Sequence, residues 1–141
     1  MRGHTLVELV FVLLLTGVAV STVAPAARRQ RDRTAVVGAR EAVVGVLSEA
    51  RSAAIEVGTA SVRLTVHPPA AELWVDGTLT RVVRLDVAFG VSVALGGTAT
   101  AADLAYDALG VGRVASQTVV LRRGAESADL IVSAYGRVRR R

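Results

Sequence analysis

The chain is 141 residues long, enough for one compact domain with an appendage. It has no cysteine, which excludes a disulfide framework, a thiolate zinc site and a cysteine nucleophile, and its two histidines, His4 and His67, leave little for imidazole chemistry. All 17 basic residues are arginine, and the net charge of +5 is segmented: residues 34–136 carry 8 Arg against 10 acidic residues, while net charges of +3 and +4 sit in residues 28–33 and 137–141.

The first element in chain order is an apolar run from Thr5 to Ala27 whose one charge is Glu8. A bilayer core needs about 20 apolar residues as helix, so the run can span one. It is too long for an ordinary secretory signal, and a plain anchor leaves Glu8 unexplained, since a carboxylate inside an apolar span is costly and marks a functional position. The cluster Arg28, Arg29, Arg31 and Arg33 follows, and the positive-inside tendency alone would keep it cytoplasmic.

Arg2-Gly3-His4-Thr5-Leu6-Val7-Glu8-Leu9-Val10 closely resembles the type IV prepilin signature, a basic leader ending in Gly followed by a Thr-Leu-aliphatic-Glu opening of a long apolar helix. The resemblance implies cleavage by a prepilin peptidase between Gly3 and His4 and N-methylation of His4. It makes Glu8 the fifth mature residue, which pairs with a neighbouring subunit's N-terminal amine during filament assembly. Pro25 falls where many pilins interrupt this helix. The sequence departs from the family in having His4 where the first mature residue is usually Phe, and in its three-residue leader. Pilin biogenesis places the Arg28–Arg33 cluster outside, against the charge rule, and the resemblance is preferred because it accounts for Gly3, Glu8 and the start position together. A reversed single-span anchor is the alternative.

Helix is expected to continue over residues 34–57, with Gly58 at its end. At 100° per residue, Val36, Ala39, Val43, Val46, Leu47, Ala50, Ala53, Ala54 and Val57 form one stripe suited to packing on a sheet. Glu41, Ser48, Ser52 and Glu56 lie opposite, and Val37, Val44 and Ile55 form a minor ridge. The period then changes to two. Val62, Leu64 and Val66 alternate with Ser61, Arg63 and Thr65 as a half-buried strand. His67-Pro68-Pro69 ends it, and His67 reads as a loop residue. Leu73-Trp74-Val75 runs into an Asp76-Gly77 turn. Arg81 to Leu95 is expected to hold one or two strands broken near Gly90, and residues 96–100 read as a flexible loop.

The last third reads as Leu104-Ala105-Tyr106-Asp107-Ala108-Leu109-Gly110, a strand Thr118–Arg122, a turn at Arg123-Gly124-Ala125, a strand Asp129–Ser133, and Tyr135-Gly136-Arg137-Val138-Arg139. This resembles the C-terminal region of the GspH/FimT family, and Glu49–Ile55 is similar to that family's helix exit. The resemblance implies an α+β, pilin-like fold: a long N-terminal helix, membrane-spanning in its first half, packed on a C-terminal antiparallel β head of two small sheets. The corresponding divisions are a leader 1–3, a transmembrane and assembly helix 4–27, its amphipathic continuation 28–58 and a β-rich head 59–141.

No catalytic constellation emerges: Asp103 and Asp107 flank a Gly/Ala loop with no His or Cys partner, and no hydrolase or metalloprotease motif is present. A structural or binding protein is expected rather than an enzyme, with no cofactor, metal or small-molecule substrate. In FimT-like minor pilins a Gly-Arg-x-Arg element contributes to DNA binding, and here Gly136-Arg137-Val138-Arg139 matches it. In an extended segment Arg137, Arg139 and Arg141 would share one side, about 6–7 Å apart, and guanidinium forks suit phosphate oxygens. Arg140 belongs to the same cluster, and Arg122 and Arg123 would extend it. A solvated basic tail, or a contact to acidic neighbours in a filament, is the alternative. The expected partners are other pilin or pseudopilin subunits, prepilin peptidase and inner-membrane lipid, with DNA left open. The expected location is the bacterial inner membrane, single-pass with a periplasmic head, and the assembled filament. A type IV pilus and a type II secretion filament both remain open.

Overall fold

The computed structural model describes residues 6–113 and 115–141, without the side chains of residues 19–23. The expectations for the leader 1–3, for Gly3 and His4 and for Thr5 lie outside the described residues.

One helix, α1 (Leu6–Val57), runs from Leu6 of the apolar segment on into the head, with Pro25 inside it. Thr34 joins the helix, its hydroxyl donating to the Gln30 carbonyl four residues back. The helix stops at Gly58, whose N–H bonds the Ala54 carbonyl at 2.8 Å. The anticipated stripe is the buried face: Val36, Ala39, Val43, Val46, Leu47, Ala50 and Ala54 are each at most 1% exposed. Val57, at the helix end, is exposed instead, and Ala53 is half-buried. In the minor ridge Val37 and Ile55 are exposed, while Val44 packs on the core.

The stripe is covered by two four-stranded antiparallel sheets. The first contains β1 (Thr59–Val66), β2 (Pro69–Val75), β3 (Thr78–Arg84) and β5 (Ala101–Asp107), in the order β3-β2-β1-β5. The second contains β4 (Ser92–Leu95), β6 (Gln117–Arg123), β7 (Glu126–Val132) and β8 (Val138–Arg140), in the order β4-β6-β7-β8. Period-two alternation turns Val62, Leu64, Leu73, Leu104 and Tyr106 of the first sheet inward, and Val119, Leu121, Leu130 and Val132 of the second. All join one core with the α1 stripe. The fold is therefore α+β, a long N-terminal helix packed on antiparallel β-sheets.

Asp76 and Gly77 form the two-residue loop between β2 and β3, both with positive φ (48° and 74°), as the twist of a tight hairpin demands. Between β3 and β4 the structure departs from expectation. The break near Gly90 holds a short helix, α2 (Leu85–Phe89), with Leu85 buried, and the Gly90 N–H closes it on the Asp86 carbonyl at 2.9 Å. A short apolar run such as Leu85–Phe89 has no periodicity to separate strand from helix. Phe89 then lies against Gly38 of α1, where a Cβ would come within 3.0 Å of its ring.

Among the described residues no helix is long and apolar enough to cross a membrane. The described apolar side chains at the start of α1 are strongly exposed, Phe11 by 63% and Leu13 by 64%.

The two faces of α1 differ in what they carry. Leu47→Ala, deep in the stripe, is expected to destabilise the head by about 2–5 kcal/mol, and Val37→Ala on the exposed ridge by no more than about 0.5 kcal/mol. Denaturant unfolding followed by Trp74 fluorescence measures both, and equal effects would contradict the assigned faces.

Candidate functional site

The C-terminal strand decides where the terminal arginines go. β8 pairs with β7 so that Val138 faces Val132, Arg139 faces Ile131 and Arg140 faces Leu130. Leu130 and Val132 point into the core, so Arg140 points the same way, towards α1, and Arg139 points out. Arg140 there forms a two-pronged pair with Glu41: Nε donates to Oε1 at 3.0 Å and Nη2 to Oε2 at 2.9 Å. Arg40 adds a contact to the same carboxylate at 3.3 Å. The hydrogen bonds from Arg140 hold the Glu41 carboxyl below its ordinary value, and Glu41 in turn raises the Arg140 guanidinium.

Arg123 is also turned inward. Its Nε lies 3.0 Å from Asp32 Oδ1 on α1, and its Nη1 donates to the Phe89 carbonyl. Arg122, one residue away, points out, in register with Ser92 and Ser127 on its two neighbouring strands. Arg141 continues beyond β8, exchanging backbone hydrogen bonds with Asp129 at 3.0 and 3.3 Å. Arg137 lies outside the strand, in the turn that closes when the Ser133 N–H bonds the Arg137 carbonyl and the Arg137 N–H bonds Ser133 Oγ.

The six arginines expected to act together are thus divided. Arg122, Arg139 and Arg141 lie on the outer face of the second sheet, Arg123 and Arg140 are held by acidic residues of α1, and Arg137 lines a separate groove. Of the expected row of Arg137, Arg139 and Arg141, the last two share the outer face, while Arg137 precedes β8 in the turn that lines the groove.

That groove, of about 870 Å³, runs between α1 and the turn leading into β8. Leu47, Ser48 and Arg51 form its helical bank, and Ser133, Tyr135 and Arg137 the opposite one. Tyr106 of β5 lies between the banks. Burial pushes its hydroxyl up, and the nearby Arg51 charge pulls it partly back. The turn bank is held against the segment after β5 by an unusually close glycine contact. Gly112 donates its N–H to the Tyr135 carbonyl at 3.1 Å, and a Cβ on Gly112 would fall 2.5 Å from the Gly136 nitrogen. Gly136 has φ +76°, and a Cβ there would meet the Tyr106 ring at 2.6 Å. Only glycine meets both demands.

The remaining anticipated residues have local roles. Asp107 closes the turn after β5: Oδ1 accepts from the N–H groups of Leu109 and Val111, each at 3.0 Å, and Oδ2 from Arg113 Nε. The Val111 N–H contributes most to holding this carboxyl low. Asp103 pairs across the strands with Arg63 at 2.7 Å. His67 is exposed, at the turn into Pro68. Glu8 lies exposed in the first turn of α1. Among the described residues no cluster of three or more acidic or His side chains could hold a metal ion. Sequence reasoning did not single out Arg51, whose position on the groove bank depends on chain more than eighty residues away.

Comparison with known families, with characterised proteins and with solved structures returned no match to the chain.

Gly136→Ala is expected to cost about 1–3 kcal/mol through backbone strain and the Tyr106 clash, a loss visible as a lower denaturation midpoint. The Glu41–Arg140 pair sets a pH dependence. Because the folded carboxyl is depressed, its contribution is complete above the ordinary value of 4.5 and is lost as pH falls through the lower folded value. Hydrogen-bonded side-chain N–H signals of Arg140 should therefore persist in NMR spectra at neutral pH and broaden on acidification. In Glu41→Gln they should be broadened already at neutral pH, and identical spectra across the series would refute the pairing.

Proposed function

We propose that this protein is a membrane-anchored minor pilin or pseudopilin of the GspH/FimT type, a structural subunit of a periplasm-spanning filament. The observation that carries this reading is α1 itself. It is unbroken from Leu6 to Val57, its early part exposes large apolar side chains, and its later part buries a stripe under two antiparallel sheets. The apolar stretch of α1 from Leu6 to Ala27 amounts to about 33 Å of helix, enough for a hydrocarbon core of about 30 Å. Prepilin peptidase would remove residues 1–3 and expose the His4 amine for methylation. Glu8 would then be a carboxylate in an apolar phase, and pairing with a neighbouring subunit's terminal amine offsets its desolvation when the two dock in register. In this role the head sits outside the inner membrane and meets other subunits.

The outward placement of Arg122, Arg139 and Arg141, none of them in a side-chain ion pair among the described residues, favours a DNA contact through phosphates. Such binding would be sequence-tolerant and salt-sensitive. The alternative is a GspH-like pseudopilin of type II protein secretion with no DNA role, in which the same face meets other subunits or cargo.

Gly3→Ala is expected to abolish processing by prepilin peptidase, read as a mobility shift and by N-terminal mass; unchanged processing sinks the pilin reading. For the arginine face, gel-shift titration of the full chain in detergent should show a salt-dependent shift that Arg139→Ala plus Arg141→Ala weakens several-fold. No shift at low ionic strength counts against DNA capture. Deletion in the native cell, scored for transformation and for protein secretion, separates the two pathways.

A further inference from the structure

Arg51 and Arg137 stand on opposite banks of the groove, one on α1 and the other in the turn before β8. Among the described residues neither guanidinium has a carboxylate within salt-bridge distance, whereas Arg63, Arg81, Arg84, Arg113, Arg123 and Arg140 each have one. No acidic side chain lines the groove, although acidic residues are in excess over residues 34–136. The groove is therefore a local positive site in a mildly acidic body. Its floor is partly apolar, with Val44, Leu47 and Val138 packed on the core. Tyr135 stands at the rim, 78% exposed.

We propose that this groove binds an acidic, partly apolar peptide segment of a partner protein. The segment lies between α1 and the β8 turn. Arg51 and Arg137 take its carboxylates, and Val44 and Val138 seat its apolar side chains. A guanidinium donates two parallel N–H bonds to a carboxylate, as Arg140 does to Glu41 in this molecule. Exposed Tyr and Arg beside an apolar floor form the composition that protein–protein contacts favour. A nucleic acid fits less well, because a phosphate chain carries a charge at every nucleotide and calls for a row of cations. The groove offers two cations over an apolar floor, and the outward arginines belong to a different face. This inference does not rest on the filament assignment.

The test uses the full chain in detergent micelles and fluorescence anisotropy with three labelled probes. They are an end-blocked peptide alternating Leu/Val with Asp/Glu, the same peptide with Asn/Gln in place of the acids, and a single-stranded oligonucleotide. The acidic peptide should bind saturably, and the neutral one about ten-fold more weakly or worse. Arg51→Gln plus Arg137→Gln should lose about ten-fold in affinity for the acidic peptide, while Arg139→Gln plus Arg141→Gln should retain it. Ser48→Asp places a negative charge on the helical bank without removing either guanidinium, and should also weaken the acidic peptide. An unchanged denaturation midpoint in each variant shows that the fold persists. The proposal is overturned if the acidic peptide does not bind, if the neutral peptide binds equally well, or if the groove variants bind like the parent. Oligonucleotide binding that the groove variants abolish, with no peptide binding, would reassign the groove to nucleic acid.

Discussion

A single helix serving two surroundings is the constraint on which the rest of the molecule depends. From Val36 to Ala54, α1 hides one stripe so completely that its residues are at most 1% exposed, and both sheets are arranged to cover it. From Leu6 to Val18 the side chains of the same helix are exposed: Leu6, Phe11 and Leu13 each expose more than 60% of their surface. Apolar area left in water costs about 25 cal/mol per Å², so these exposed side chains gain from being covered. The head needs only the second half of α1 for its core. The exposed apolar side chains from Leu6 to Val18 are why the proposed role begins there.

Charge then orients the helix within the head. Three acidic residues of α1 each reach an arginine on a different strand: Asp32 reaches Arg123 of β6, Glu41 reaches Arg140 of β8, and Glu49 reaches Arg81 of β3. Exposed pairs of this kind add little stability individually. Their value lies in position, since together they tie α1 to both sheets at points where the apolar stripe alone would allow rotation or sliding. They also consume arginines. Of the six arginines expected to form one basic patch, Arg123 and Arg140 are held in the helix–sheet contact, so that patch is smaller than the count of charges implies.

Features with a short physical range were legible in the sequence. The 3.6-residue period picked out the buried stripe of α1, the two-residue period picked out β1, and Asp76-Gly77 marked the hairpin between β2 and β3. Two small antiparallel sheets under one helix followed from the resemblance of the last third. Features set by distant chain were not legible. Leu85–Phe89 folds as α2 because Leu85 reaches the core and Phe89 reaches Gly38 of α1, and neither contact leaves a local pattern. The faces of Arg139 and Arg140 depend on the β7–β8 register, which only the pairing partner fixes. The place of Arg51 at the groove is set by the distant turn at Ser133–Arg137.

The contact between Gly112 and Gly136 shows why Arg137 and Arg139 of the Gly-Arg-x-Arg stretch are placed apart. Gly136 must be small and left-handed to pass over Tyr106 and approach Gly112, and that passage leaves Arg137 in the turn, beside the α1 groove. Two residues later the chain has entered β8, where Arg139 inherits the outward direction of its partner Ile131. The glycine therefore separates the two arginines by conformation rather than by distance along the chain. One arginine addresses a groove with an apolar floor, and the other an open sheet face. Gly136 thereby determines the surface to which each arginine belongs.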